Sequence, residues 1–70
     1  MDNNDILRRL RYTLDLNDET MMKIFSLGGF QASRSEISDW LKREGDPSFH
    51  TLSDQKLINF LKRSLKKEVY

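Results

Sequence analysis

Three observations predict an all-α fold: apolar residues recur at helical spacing in four segments, capping residues stand at the segment boundaries, and no alternating strand pattern of useful length appears. The expected architecture is a compact four-helix domain with a helix-turn-helix-like unit inside it. A chain of 70 residues has room for one core, so residues 1–70 read as a single domain.

The first helix is expected over about 4–14. Ile6, Leu7, Leu10 and Leu14 share its apolar face, and Asn3, Asn4 and Asp5 supply capping and first-turn groups. Asn17 caps a second helix, about 18–27, with Asp18 and Glu19 at its positive end and Met21, Met22, Ile24 and Phe25 along it. Gly28-Gly29 stops that helix, because glycine accepts the left-handed conformation that closes a helix.

Ser33-Arg34-Ser35-Glu36 is a capping box and opens a third helix, about 34–44, through Ile37, Trp40 and Leu41. Gly45 and Pro47 end it, and Lys42 and Arg43 suit the negative end of its dipole. Ser53 caps a fourth helix, about 54–67, carried by Leu57, Ile58, Phe60, Leu61 and Leu65.

Hydrophobic residues make up 37% and charged residues 33%, which fits a globular chain better than a disordered one. The absence of cysteine removes disulfides and thiolate chemistry and points to the reducing cytoplasm. No apolar run approaches the roughly 18 residues of a membrane span. The first ten residues, with Asp2 and Asp5, do not read as a signal peptide.

No enzymatic constellation is legible. His50 stands between Phe49 and Thr51 without a second histidine or a cysteine to complete a metal site, and reads as structural or incidental. Gly28-Gly29 lacks the context of a phosphate loop. Met21 and Met22 read as core filling and Trp40 as a core anchor. The expectation is a binding module and not an enzyme, with no cofactor, metal, membrane contact or evident small-molecule substrate.

The net charge of +1 conceals an uneven distribution. Arg8, Arg9 and Arg11 lie near the start, and Lys62, Arg63, Lys66 and Lys67 near the end; from Asp15 to Asp54 eight carboxylates face four basic residues. If the first and last helices pack together, those seven cations form a phosphate footprint. The plainer reading is a solvated face on each helix.

Helix two, the glycine turn and helix three also have the rhythm of a helix-turn-helix. Arg34, Ser35 and Ser38 then fall near the start of the second helix, placed for phosphates or base edges. Glu36 and Asp39 on the same helix oppose a polyanion, and the Gly28-to-Ala32 turn is longer than usual. Two readings stay open: a regulatory nucleic-acid-binding module, or a protein-interaction module, homodimeric in one version, using Phe30 and Phe49.

With those residues in view, the chain resembles one repeat of the YehS-like family, an uncharacterised group of bacterial proteins usually built from two tandem helical repeats. The resemblance runs through Asn3-Asn4-Asp5-Ile6-Leu7-Arg8-Arg9-Leu10-Arg11-Tyr12, Leu14-Asp15-Leu16-Asn17-Asp18 and Met22-Lys23-Ile24-Phe25-Ser26-Leu27-Gly28-Gly29. It continues in Trp40-Leu41-Lys42-Arg43-Glu44, Ser53-Asp54, Leu57 and Phe60-Leu61. It implies a helical fold and a bacterial or phage setting, and brings no catalytic or binding residues. Either a single-repeat protein or the first half of a two-repeat one is expected. If two repeats bury a face against each other, a lone repeat is expected to dimerise and so restore that burial.

Overall fold

The computed structural model describes the backbone of residues 1–69 and the side chains of residues 1–63. Four helices follow one another, α1 (Asn3–Thr13), α2 (Asp18–Leu27), α3 (Arg34–Leu41) and α4 (Asp54–Val69), with no strand among the described residues. The expected all-α four-helix fold is what the chain adopts. Both α1 and α2 rest on α3 and on α4, so packing joins the two halves of the chain.

The buried core is Leu7 from α1, Met21, Ile24 and Phe25 from α2, Ile37 and Trp40 from α3, and Leu57 and Phe60 from α4, with Ala32 and Leu52 from the connections. Phe25 is the hub. Its ring lies 4.8 Å from that of Phe60, 5.3 Å from Trp40 and 6.4 Å from Phe30, the last edge-on. Offset and edge-on ring pairs are favourable beyond their buried area, so one side chain of α2 ties together α3, α4 and the intervening turn.

Local signals set most helix starts. Asn17 Oδ1 accepts from Thr20 N at 2.8 Å, Ser33 and Glu36 form the reciprocal box, and Ser53 Oγ accepts from Lys56 N at 3.3 Å. The start of α1 differs from expectation. Asp2 is its cap, exchanging hydrogen bonds with Asp5 across a capping box, which frees Asn3 and Asn4 to point elsewhere.

They point at the α3–α4 connection. Asn4, 1% exposed, donates to the carbonyls of Trp40 (2.9 Å) and His50 (2.8 Å) and accepts from the amide of Leu52 (3.0 Å). Asn3 donates to Leu52 O (3.0 Å) and Asp54 Oδ1 (2.6 Å). One side chain therefore satisfies three backbone groups, two of them buried and one part-buried, that have no helical partner.

The third helix ends at Leu41, short of the expected 44, because its terminal carbonyls find partners outside the helix. Asn4 takes Trp40 O, His50 N takes Asp39 O at 3.4 Å, and Arg8 Nη1 takes Lys42 O at 2.7 Å. Lys42 is extended (φ −73°, ψ 161°), so Lys42 and Arg43 lie beyond the helix rather than in its last turn.

The two glycines that close α2 have different jobs. Gly29 (φ +99°) takes the left-handed position; its amide reaches Ser26 O and that of Phe30 reaches Phe25 O, the paired bonds of a Schellman cap. Gly28 has ordinary helical backbone, and its constraint is space: a Cβ there would sit 2.8 Å from Asn59 O on α4.

Replacing a helical glycine by alanine gains up to about 1 kcal/mol of propensity, whereas forcing backbone against backbone loses about 1–3 kcal/mol. Gly28→Ala is therefore expected to destabilise the fold by about 1–2 kcal/mol in urea denaturation, net of that gain. An unchanged or raised midpoint would contradict this reading of the α2–α4 approach.

Candidate functional site

The clustered cations of the sequence separate in three dimensions according to what they bind. Arg8 is half-buried; it ion-pairs with Asp5 and donates to Lys42 O. Arg63 Nε donates to Leu27 O at 2.7 Å. Neither α2 nor α3 carries a basic residue in its own last turn, so Arg63 and Arg8 bring positive charge from other helices to those two C-terminal ends. Arg11 Nη2 lies 3.6 Å from Asp18, and its Nε is buried without a partner.

Arg11 and Arg63 thus stand at opposite ends of α2, against Asp18 and Leu27 respectively. Of the seven basic residues, these two therefore lie apart. Lys62 is exposed and lines a small hollow with Leu27, Gly28, Asn59 and Arg63. The side chains of Lys66 and Lys67 lie outside the described residues.

On α3, Arg34, Ser35 and Ser38 are all exposed. Arg34 Nη2 lies 3.6 Å from Glu19, and the Ser35 hydroxyl lies 3.2 Å from that of Ser33. Phe30 is half-buried between Phe25 and Trp40, with Lys56 Nζ 4.6 Å from its ring centroid. Phe49 is half-buried in the α3–α4 connection. His50 is exposed, with Nδ1 2.9 Å from Ser48 O and 3.4 Å from Asp39 Oδ2.

Besides the exposed Lys23 on α2 and Lys62 on α4, two exposed arginines without an ion pair among the described residues, Arg9 and Arg43, lie together beside α1. Together with Asp5, Arg8, Tyr12 and Thr13 they line an open depression of about 590 Å³. Tyr12 is 88% exposed, the most exposed of the large apolar side chains among the described residues. Arg9 precedes it by three positions and so shares its face, a juxtaposition visible in the sequence. Arg43 joins only through the fold, because Arg8 and Asn4 hold the end of α3 against α1.

Among the described residues no His, Cys, Asp or Glu cluster could hold a metal ion, and no helix is long and apolar enough to cross a membrane. What the fold and site define is an all-α domain with a basic, aromatic-bearing surface. The chain belongs to the family described as Protein of unknown function (DUF1456), whose model matches residues 3–67, in line with the YehS-like resemblance in its sequence. It is similar to Uncharacterized protein YehS of Escherichia coli (strain K12), with 38% identity over 58 residues. That alignment covers 83% of this chain and 37% of the relative, so the chain spans little more than a third of the relative's length. No solved structure gives a significant match.

Asp5 borders the depression and is held below its ordinary carboxyl value. The backbone amide of Asp2 is the main cause and the Arg8 guanidinium adds to it, against an opposing desolvation effect. A depressed carboxyl stabilises the fold at pH above its unfolded value of 3.8, and that contribution is lost as pH falls through the lower folded value. Urea midpoints measured down through this range should fall less steeply for Asp5→Asn than for the parent; parallel curves would contradict the assignment.

Proposed function

We propose that the chain is a non-enzymatic regulatory module that binds nucleic acid, with Arg9, Tyr12 and Thr13 of α1 and the adjoining Arg43 as its contact surface. The observation that carries this reading is the pair of exposed guanidiniums, without an ion pair among the described residues, beside an exposed aromatic ring. Guanidiniums suit phosphate oxygens through their planar fork of donors, and the Thr13 hydroxyl adds a further donor. Asp5 is the one carboxylate lining the depression, and Arg8 already neutralises it.

The helix-turn-helix-like unit supports the reading less strongly. Its second helix has eight residues, presents exposed Glu36 beside Arg34, and has Arg34 facing Glu19. A protein-interaction module, homodimeric or with another chain, is the second reading. It is favoured by the exposed apolar residues Leu27 (54%) and Ile58 (43%), with Phe30 and Phe49 half-buried.

Fluorescence anisotropy with labelled DNA and RNA over a salt series tests the first reading. Log affinity is expected to fall linearly with log salt, by about 0.7–0.9 for each phosphate neutralised. Arg9→Glu with Arg43→Glu should abolish binding, and Arg34→Glu should leave most of it. Absence of binding at low salt, with a dimeric mass by light scattering, would overturn it in favour of the second.

A further inference from the structure

We infer that the ligand of this face is single-stranded nucleic acid, with a base stacked on the Tyr12 ring and its flanking phosphates held by Arg9 and Arg43; this rests on the nucleic-acid reading above. Tyr12 is the starting point. At 88% exposure its ring contributes almost nothing to the core, yet it stands on a rigid platform. The end of α1 is closed by a Schellman cap, with Leu16 N on Arg11 O at 2.9 Å and Asp15 N on Tyr12 O at 3.2 Å, and Arg11 is tied to Asp18. An aromatic ring held in water on an immobile helix end loses little freedom when a base covers it.

The charges around the ring favour a single strand over a duplex. Arg8 has both terminal nitrogens engaged, by Asp5 and by Lys42 O, which leaves Arg9 and Arg43 as the guanidiniums of the depression without an ion pair among the described residues. Two or so phosphate contacts give a duplex little affinity, because duplex binding without groove contacts depends on the number of counterions released. A single strand can add what a paired and stacked duplex withholds, the open face of a base. Stacking on an aromatic side chain accepts any base, and its loss on truncation weakens binding by about tenfold or more. The depression of about 590 Å³ beside Tyr12 leaves the ring approachable from the side on which both guanidiniums lie.

The test is anisotropy of labelled oligo-dT, oligo-U and a mixed-sequence duplex of equal length, titrated with the parent chain, Tyr12→Ala and Tyr12→Phe at low salt. The expected result is tighter binding of the single strands than of the duplex. Tyr12→Ala should weaken single-strand binding about tenfold and leave duplex binding and thermal stability unchanged, and Tyr12→Phe should retain it. The dT and U arms report whether DNA or RNA is preferred. Single-strand affinity unchanged by Tyr12→Ala, or a preference for the duplex, would overturn this inference and leave nucleic-acid binding standing. No binding of any probe would overturn both.

Discussion

The buried amide of Asn4 is the interaction on which the rest of the structure depends. It closes three backbone groups at once: the carbonyl of Trp40 at the end of α3, and the carbonyl of His50 and the amide of Leu52 in the connection to α4. The two that are buried, the Trp40 carbonyl and the Leu52 amide, would each cost about 1–3 kcal/mol without a partner. The net stability expected of a 70-residue domain is only on the order of 4–10 kcal/mol. A single asparagine therefore governs a large fraction of it. It also sets the route of the chain from α3 into α4, placing Leu52 in the core and Asn3 beside Asp54.

The same economy governs the cations. A short helical domain must satisfy the carbonyls that end each helix, and here other elements supply the donors. The last four carbonyls of α2, from Ile24 to Leu27, are all taken, by Gly28, Gly29 and Phe30 amides and by Arg63. At the end of α3, Asn4 and Arg8 lie four positions apart on α1 and reach Trp40 and Lys42 from one face. Charge used in this way is unavailable to a ligand. Among the described residues, Arg9 and Arg43 escape such use and lie beside the exposed ring of Tyr12, the surface proposed for recognition.

Local chemistry was legible in the sequence, and long-range chemistry was not. The helix starts at Asn17, Ser33 and Ser53 could be read because a cap and its target amide lie within three residues. The aromatic core could be read from the spacing of Phe25, Trp40 and Phe60. The end of α3 could not, because it is decided by partners 34 and 36 residues away. Asn3 and Asn4 resembled cap residues because asparagine serves equally at a helix start and as a bridge between backbone segments, and only Asp2 and Asp5 pairing with each other distinguishes the two. Gly28 looked like a conformational glycine and proved a steric one, since the approach of Asn59 is a tertiary fact. For the site, Arg9 with Tyr12 was present at helical spacing, but the addition of Arg43 and the removal of Arg8, Arg11 and Arg63 to structural duty follow from packing.

Hydrogen exchange at the Leu52 amide tests the Asn4 latch most directly, because this amide belongs to no helix and its acceptor is the Asn4 side chain. If Asn4 holds the connection throughout the native ensemble, Leu52 exchanges only on global unfolding, as slowly as the slowest core amides of α1 and α2. Exchange of Leu52 at the rate of its exposed neighbour Thr51 would show that the connection opens independently, and would contradict the central place given to Asn4.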